Sequence, residues 1–593
     1  MMNNGTEAFL FAMAVMIAVV QLGCKGNSSL PGESTSSPAE EQAHSPVRTR
    51  SRLSVNRSSP IRADAPDAAD SHLYFVDVHQ SLGVDFVYDR GARGKLLMVE
   101  STGGGAGWTD FDRDGNWDLL LVQGGFADGP RSNNPPNGLW RNLADEGFSQ
   151  VEGSAHIVDR GYGQGVAIGD FDNDGFDDVY ISNVGSNALY QNQGDGTFLE
   201  VTAAAGVDTS QWSTSAAWGD LNADGNLDLF VCNYLIYDPE NPLNCPHADG
   251  TLGICHPGDL DAAQNVCFQN LGDGRYREVS SEWNLVGRKK ASKSLGTAIL
   301  DLTGDGYSDV LVANDGTANF FFVNDGHGVF QERGLELGCA MSGEGSYQAS
   351  MGIAVGDFDQ NHFFDIYMTH FTEESNTLYS NLGAAGFHDA TRTLGLHRPT
   401  LLMLGFGTVM ADFDRNGSLE LFITNGHVDD YLAADGFYAM PPQLFEFSND
   451  RWHDVSSRAG HFFETHQVGR AVASCDFDND GDLDLAVVHQ GSPAALLRND
   501  SSENDWLKIQ LIGLQNNRSA IGTTVRLRCG ELDQVQQVVG GSSYCATHAP
   551  LLIFGLEKAS GSCSLEIRWP DGFVQQVVDV ATNQHITLRE AAH

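Results

Sequence analysis

The sequence predicts an all-β protein: a seven-bladed β-propeller over residues 73–502, followed by a small β-sandwich over residues 503–593. Three observations lead to this fold class. A short Asp-rich pattern recurs seven times, each copy lies between a Gly-rich apolar stretch and an alternating apolar strand, and the chain has 67 glycines in 593 residues. Repeats of roughly 40–60 residues with about four short strands each are typical of propeller blades.

Residues 1–24 have the features of an export signal, and residues 25–72 those of a linker. Residues 8–20 form an uncharged apolar run of 13 residues, which is too short to span a bilayer and fits a signal peptide. A Leu-Gly-Cys sequence follows, which resembles a bacterial lipoprotein signal and predicts lipidation of Cys24; plain cleavage is the alternative. The Ser-, Pro- and Arg-rich residues after it predict a flexible tether.

The net charge excludes several classes of partner. The chain has 34 Lys and Arg against 78 Asp and Glu, which gives a formal net charge of −44. A chain this acidic repels the phosphates of nucleic acids and of anionic lipids. We therefore expect no nucleic-acid partner, and contact with a membrane only through a lipid anchor.

The recurring pattern places oxygen-bearing side chains at loop positions 1, 3, 5 and 9, and six of its seven copies have glycine at position 6. Loop by loop, these side chains are Asp110, Asp112, Asp114 and Asp118; Asp170, Asp172, Asp174 and Asp178; Asp220, Asn222, Asp224 and Asp228; Asp301, Thr303, Asp305 and Asp309; Asp357, Asp359, Asn361 and Asp365; Asp412, Asp414, Asn416 and Glu420; and Asp476, Asp478, Asp480 and Asp484. Calcium takes about six to eight oxygen ligands, so we expect up to seven structural Ca²⁺ ions. The fifth loop is the weakest candidate, because His362 replaces the turn glycine.

The two ends of the repeat array predict that the ring closes. The seventh repeat stops after ALLRND at residues 495–500 and lacks the outer strand that follows in the other repeats. The stretch YFVDV at residues 74–78 resembles that missing strand. We therefore expect the N-terminal strand to complete the seventh blade, which removes an open sheet edge.

The C-terminal region carries the most specific resemblance. It contains NDWLKIQLIGLQNNRSAIGTTVRL from residue 504, IFGL at 553–556, RWPDG at 568–572 and Asn583-Gln584. Together with the Asp-rich loops, these motifs resemble FG-GAP/VCBS-repeat proteins that bear a C-terminal ASPIC/UnbV domain, as in the cartilage acidic protein family. The resemblance implies an integrin-like propeller with calcium-stabilised blades, in a secreted or surface protein, and no established chemistry for the terminal domain.

The chain has ten cysteines, and an exported protein can keep disulfides. Cys245 and Cys255 lie in a long insert of the third repeat, and similar inserts in the resembling family carry a matching pair, which implies a disulfide. The neighbouring His247 and His256 leave a zinc site as an alternative. Cys475 is most simply a buried thiol. The sequence leaves the pairing of the others open, namely Cys232, Cys267, Cys339, Cys529, Cys545 and Cys563. A second disulfide between Cys232 and Cys267 is one alternative, because they flank the insert of the third repeat on strands that should be adjacent.

A polar side chain stands thirteen residues after the first Asp of each loop, where the second strand of the blade ends. These residues are Gln123, Asn183, Asn233, Asn314, His370, Asn425 and His489. One interpretation is a ligand mouth on the face opposite the calcium loops, for which the candidates are Asn314, His370, Glu374, Asn425, His427 and His489. The other interpretation is that strand ends simply favour polar turn residues.

The sequence contains none of the common catalytic motifs, and its paired carboxylates are already assigned to metal loops. We therefore predict a non-enzymatic, calcium-binding surface or adhesion protein whose partner is a protein or a glycan at the cell surface. Two alternatives stay open: a lectin or polysaccharide lyase on a calcium propeller, and a purely structural scaffold. Exposure of Trp212 and Tyr347 side by side would favour sugars. We expect an outer-membrane or cell-surface lipoprotein, or a periplasmic or secreted protein.

Overall fold

The computed structural model describes residues 73–247, 249–287, 291–430, 438–501, 504–558 and 561–592. The predicted signal, the linker and the lipidation site at Cys24 lie outside these residues. Within them, the model contains no helix that is both long enough and apolar enough to cross a membrane.

Seven four-stranded antiparallel sheets form the blades of a propeller, and we name the strands of each blade A to D from the axis outwards. In blades 1 to 3 they are Ala106–Thr109, Asp118–Leu121, Gly138–Asn142 and Phe148–Gln150; Tyr162–Gly169, Asp178–Val184, Ala188–Asn192 and Phe198–Glu200; Ser213–Gly219, Asp228–Asn233, Val266–Asn270 and Tyr276–Glu278. In blades 4 to 6 they are Ser294–Leu300, Asp309–Asn314, Phe320–Asn324 and Phe330–Glu332; Ile353–Gly356, Asp365–Met368, Thr377–Asn381 and Phe387–Asp389; Gly405–Ala411, Glu420–Asn425, Gln443–Ser448 and Arg451–Asp454. In blade 7 they are Gly469–Cys475, Asp484–His489, Ala495–Asn499 and Phe75–Asp77. The predicted fold class is confirmed.

The N-terminal strand closes the ring, as predicted. Phe75 pairs with Asn499 and Asp77 with Leu497, so the first strand of the described chain is strand D of the last blade. Strand A of blade 7 also contacts strand A of blade 1, just as every other neighbouring pair of inner strands does. All four strands of blade 7 are therefore paired within one sheet, and the ring has no gap between its first and last blades.

Glycines in the inner strands let neighbouring blades approach closely. A Cβ atom on Gly296 would lie 2.2 Å from the carbonyl oxygen of Met351, and one on Gly352 would lie 2.0 Å from that of Phe406. These distances are far below a van der Waals contact, so only glycine fits. The Gly-rich stretch before each loop is thus explained by the narrow axis of the ring.

The C-terminal domain consists of two packed sheets. One contains Leu551–Gly555, Trp506–Ile512 and Gln584–Arg589, and the other contains Leu532–Gln537, Thr524–Cys529, Cys563–Arg568 and Val574–Val580. Their facing side chains, among them Leu507, Ile509, Leu527 and Ile567, are fully buried in one core. This arrangement is the predicted β-sandwich.

A segment of the C-terminal domain, which we call the axial segment (residues 540–549), enters the centre of the propeller. It pairs or forms hydrogen bonds with the inner strand of every blade. From blade 1 to blade 7, the contacted residues are Ala106 and Gly107; Val166 and Ile168; Ser215; Ile299; Ile353; Thr408; and Ser474. Its short strand Ala546–Thr547 runs parallel to strand A of blade 1 and adds a fifth strand to that sheet. The C-terminal domain is thereby joined to all seven blades.

Short helical turns connect the strands in the described ranges, and none of the turns found there is longer than five residues. The α-helical turns are Thr202–Ala205, Gly334–Leu337 and His397–Thr400; the 3₁₀ turns are Met98–Ser101, Arg131–Asn133, Ala144–Glu146, Glu152–His156, Pro257–Asp259, Gly383–Ala385, Ser456–Arg458 and His461–Glu464.

The third-blade insert (residues 234–265) is held by the predicted disulfide. Its strands Cys245–Pro246 and Leu252–Gly253 pair with each other, and Cys245 is bonded to Cys255. The zinc interpretation is therefore wrong, because both sulfur atoms are used in the disulfide. A second disulfide joins Cys529 and Cys563 on neighbouring strands of the C-terminal domain. The other cysteines of the described residues are free and buried: Cys232, Cys267, Cys339, Cys475 and Cys545.

Candidate metal centres

Each Asp-rich loop connects strand A to strand B of its blade. In all seven blades, position 1 follows directly on strand A and position 9 is the first residue of strand B. Because every loop occupies the same place in its blade, all seven lie on one face of the ring, as the repeat predicts. We call this the loop face, and the other the opposite face.

In five loops the carboxylates of positions 1, 3 and 9 converge. One oxygen from each residue lies within 4.8 Å of the others in the groups Asp110, Asp112 and Asp118; Asp170, Asp172 and Asp178; Asp357, Asp359 and Asp365; Asp412, Asp414 and Glu420; and Asp476, Asp478 and Asp484. The fifth loop, which the sequence marks as weakest, is among them. His362 adopts a φ of 70° there, and its N–H donates to Asp357 Oδ2 at 3.0 Å as the turn glycine does elsewhere.

The third and fourth loops have neutral oxygens at position 3. Asn222 donates its side-chain amide to Asp224 Oδ2 at 2.8 Å, and the Thr303 hydroxyl is 3.5 Å from Asp301 Oδ1. Asp114, Asp174 and Asp480 at position 5 stand outside the converging groups, and each accepts the backbone N–H of position 7. Positions 1, 3 and 9 are thus the core of each candidate centre.

Several loops contain buried carboxylate oxygens that accept no hydrogen bond. Asp118 Oδ2, Asp170 Oδ1, Glu420 Oε1 and Asp476 Oδ1 are buried and have no hydrogen-bond partner. Burial, reinforced by the neighbouring carboxylates, raises the pKa of Asp118 to about 8 and that of Asp170 to about 7. An oxygen-only set of converging acids with free lone pairs fits a hard divalent cation such as Ca²⁺. When bound, such an ion would supply the missing partner and hold strands A and B together.

The sequence pattern missed a link that orients these acids. In six blades an asparagine near the end of strand C donates its backbone N–H to the position 9 carboxylate, at 2.7–2.9 Å. Its side-chain amide donates to the position 2 carbonyl of the preceding blade's loop. These residues are Asn142, Asn192, Asn270, Asn324, Asn381 and Asn499. Each candidate centre is thereby tied to its neighbour. The asparagine that recurs at the end of strand C is the sequence feature from which this link could have been predicted.

The residue that precedes this asparagine position in strand C lies beside the Asp-rich loop and sets the local charge there. Arg141 contacts Asp112 and is 2.9 Å from Asp114 in blade 1, whereas Gln191 contacts Asp172 in blade 2. In blade 6 the equivalent residue is Glu446, which lies opposite Glu420 in the sheet and has an unpartnered buried Oε2. The seven loops therefore differ in charge more than their own residues suggest.

The C-terminal domain covers the loop face. Its contacts include Ser519 Oγ with the N–H of Asp170, Gln537 Oε1 with the N–H of Asp301, Arg526 with His362, Asn504 with the carbonyl of Asp414, and Lys508 with Asp476. These five contacts reach five different loops of the seven. Docking of this domain and the conformation of the loops are therefore linked.

The polar residues that stand thirteen residues after the first Asp of each loop do not line an open mouth. All seven are buried, with relative exposures of 8% or less. Asn314 Nδ2 donates to the carbonyl of Ala318 at 2.8 Å, and Asn425 Nδ2 donates to that of Pro441 at 2.9 Å. His370 and His489 likewise bond to carbonyls of the turns that follow them, at 3.0 and 2.7 Å. This corrects the ligand-mouth interpretation: these groups cap the connection between strands B and C.

The two remaining candidates are also engaged inside the protein. His427 is 5% exposed and accepts the N–H of Asp429 on Nδ1 at 3.0 Å. Glu374 accepts the N–H of Ala349 at 2.8 Å, and burial raises its pKa to about 7. Neither side chain is placed as a free ligand group.

Replacing Asn314 by alanine should destabilise the propeller by about 2–3 kcal/mol, because the carbonyl of Ala318 and the hydroxyl of Ser294 both lose a buried partner. Urea denaturation would measure this, with Gln193→Ala at an exposed position as the control. An Asn314→Ala protein of wild-type stability would contradict the capping role.

Comparison with known proteins identifies the class to which this propeller belongs. Residues 110–181, 170–231 and 301–368 match the FG-GAP-like repeat, and residues 513–593 match the ASPIC and UnbV domain. The chain therefore contains FG-GAP-like repeats and a C-terminal ASPIC and UnbV domain, as its motifs predict. It is homologous to cartilage acidic protein 1.

The chain is 27% identical to cartilage acidic protein 1 of Xenopus tropicalis over 317 residues, which are 51% of this chain and 46% of that protein. Its sequence identity to the Homo sapiens protein is 27% over 308 residues, which are 50% of this chain and 43% of that protein. The match thus spans less than half the length of these relatives.

Two solved structures are similar at a lower level. An Agrocybe aegerita lectin, studied for its recognition of non-reducing terminal N-acetylglucosamine, has a TM-score of 0.38 and 13% identity, covering 66% of this chain and 86% of that chain. A Bacillus licheniformis rhamnogalacturonan lyase has a TM-score of 0.35 and 11% identity, covering 67% of this chain and 71% of that chain. At these TM-scores no ligand or activity is transferred to this chain.

Proposed function

We propose that this chain is an exported, calcium-dependent surface-binding protein whose metal ions stabilise the blades and whose partner is a protein bound on the opposite face. The observation that carries this proposal is the position of the C-terminal domain. It covers the loop face, and its axial segment fills the axis of the ring, so the opposite face is the exposed end of the propeller. Loops on a rigid scaffold are where binding usually occurs.

Two features support export. The structure contains two disulfides, and disulfides persist in oxidising compartments. The N-terminal sequence also has the pattern of an export signal. We further propose that Cys24 carries a lipid anchor, which would hold the propeller at the membrane through the 25–72 linker.

The chemistry of the opposite face favours a protein over a glycan. The third-blade insert exposes Ile236 and Leu243 at 66% and 50%, and the loops before blades 5 and 6 expose Tyr347 and Leu402 at 52% and 51%. Trp212, by contrast, is 2% exposed and packs against Tyr234 and Tyr237. The pair of exposed aromatic rings that would favour sugars is therefore missing, and exposed aliphatic side chains are what a protein partner buries.

We also propose that the chain acts by binding and not by catalysis. The converging acids of the described residues are accounted for by the metal loops. His370 and His489, the two position-matched histidines at the ends of the second strands, are buried, and burial lowers the pKa of both. Neither is placed to take a proton from a bound substrate.

The double variant Ile236→Asp/Leu243→Asp should lose partner binding, since both changes put charge into the proposed apolar contact. The control is Leu199→Asp/Leu335→Asp, which changes two leucines of similar exposure on outer parts of blades 2 and 4. A pull-down from envelope fractions and a glycan array, each with calcium and with EDTA, would supply the partners. Equal loss of binding in both double variants, or binding to glycans alone, would contradict the proposal.

A further inference from the structure

The seventh loop differs from the others because a lysine of the C-terminal domain contacts its first acid. Lys508 Nζ lies 2.6 Å from Asp476 Oδ2 and 2.9 Å from Asn479 Oδ1. The side chains of Lys508 and Asp476 are 1% and 0% exposed. Lys508 lies on the middle strand of its sheet, between Leu507 and Ile509, whose side chains enter the sandwich core. The opposite side of that strand therefore presents the ammonium group to the propeller.

The ammonium group and the candidate metal centre share one carboxylate. Asp476 Oδ2 accepts both Lys508 and the N–H of Gly481, whereas Oδ1 is buried and unpartnered. Asp476 is at the same time one of the three converging acids with Asp478 and Asp484. A cation in the loop and the lysine would thus lie on the two sides of the same buried carboxylate.

The second loop provides an internal comparison without a lysine. Asp170 has the same geometry, because its Oδ2 accepts the N–H of Gly175 at 2.7 Å and its Oδ1 is buried and unpartnered. Its contact with the C-terminal domain is a neutral one, from its own backbone N–H to Ser519 Oγ at 3.1 Å. Both loops carry four carboxylates in the motif. Arg113 and Arg518 lie beside Gly175 of the second loop, but neither is bonded to Asp170, so a cation bonded to the position 1 carboxylate distinguishes the seventh loop from the second.

We propose that Lys508 weakens the divalent-cation affinity of the seventh loop and couples its occupancy to docking of the C-terminal domain; this rests on the proposed role of the loops in holding calcium. A positive charge bonded to a ligand carboxylate repels a divalent ion and lowers the negative charge available to it. The effect is large where both groups are buried, since water does not screen them. Binding of the ion in turn weakens the Lys508–Asp476 contact, which is one of the attachments of the domain. The two events therefore oppose each other.

Terbium luminescence can test the seventh loop separately. The ring of Trp506 packs against Gly481, since a Cβ on that glycine would lie 2.1 Å from it, so Trp506 can sensitise Tb³⁺ in this loop. The signal that disappears in Trp506→Phe reports the seventh site. We expect Lys508→Met to shift the midpoint of that signal to Tb³⁺ concentrations lower by roughly tenfold or more, as a buried charge repulsion of about 1.4 kcal/mol or more implies. Lys558→Met, at an exposed position of the same domain, should leave it unchanged.

A second reporter keeps the proposal testable with Lys508 in place. Phe176→Trp puts a sensitiser at position 7 of the second loop, and its additional signal should appear at lower Tb³⁺ concentration than the Trp506 signal. Equal midpoints for the two loops, or an unchanged Trp506 midpoint in Lys508→Met, would overturn the role of Lys508. Failure of Tb³⁺ to bind at any loop would instead contradict the calcium proposal itself, so the two failures are distinguishable.

Discussion

Chelation of calcium should lower the melting temperature of this protein by roughly 10 °C, and calorimetry in EDTA and in millimolar calcium would measure it. Each bound ion stabilises the folded state by about 2.7 kcal/mol when its free concentration is a hundredfold above Kd, and five converging centres would contribute on the order of 10 kcal/mol. Without an ion, the buried oxygens of Asp118, Asp170, Glu420 and Asp476 stay unpartnered. Equal melting temperatures in the two conditions would contradict a structural metal.

The pH dependence should have opposite signs with and without calcium. Burial and neighbouring acids raise the pKa of Asp118 and Asp365 to about 8 and that of Asp170 to about 7. An acid whose folded pKa lies above its unfolded value of about 3.9 favours the folded state when protonated, so the protein in EDTA should lose stability as the pH rises from about 4 to about 8. With calcium, protons compete with the ion for these oxygens, so stability should rise over the same range. Parallel pH profiles would be incompatible with metal binding at these acids.

The loops could be predicted from the sequence because their chemistry and their position in the blade follow from one short pattern. Position 9 begins strand B in every blade, and the acid there that would bind the ion also accepts backbone N–H groups, as Asp178 does from Phe171 at position 2 and from Asn192 in strand C. Ring closure by Phe75–Asp77 was predictable for a similar reason, as a missing outer strand at one end matched a spare strand at the other.

The polar residues at the ends of the B strands, thirteen residues after the first Asp of each loop, show why polarity alone was insufficient to predict a ligand site. An amide at a strand end suits a ligand and a turn carbonyl equally well, and the choice depends on whether the following turn folds back over it. Asn314 and Asn425 are covered in this way, by the turns that contain Ala318 and Pro441. These residues recur once per blade because most of them cap the connection between strands B and C of their own blade.

Lys508 and the axial segment could not be placed from sequence because both depend on how the two domains dock. A lysine in an alternating strand is normally exposed, yet here the outer side of the strand packs on the loop face. The axial segment reads GGSSYCATHA, which has neither strand nor helix periodicity. Its small residues are explained only by the narrow axis, where a Cβ on Gly541 would lie 2.6 Å from that of Ala217.

Blocking the axial segment should have the largest effect of any single substitution. Gly540 exchanges two backbone hydrogen bonds with Ile299, at 2.6 and 3.0 Å, and a Cβ on it would lie 1.9 Å from the carbonyl oxygen of Trp218. Gly540→Val therefore cannot be accommodated without withdrawing the segment from the axis. Withdrawal would break about ten hydrogen bonds to the seven inner strands, each worth about 1 kcal/mol net, and would expose Tyr544, which is fully buried against Phe406.

We expect Gly540→Val to lower the melting temperature of the propeller by roughly 5–10 °C, which corresponds to a loss of roughly 5–10 kcal/mol in a chain of this size, and to expose residues 540–549 to limited proteolysis. Gly530→Val is the matched control, because it adds the same side chain to an open turn of the same domain where nothing lies within 4 Å. Its backbone φ of 64° costs about 1–3 kcal/mol with a valine side chain present, which is less than the loss expected at Gly540. If Gly540→Val melts and resists protease like Gly530→Val, the seven blades are held by their own contacts and by metal, and the axial segment fills the ring without stabilising it.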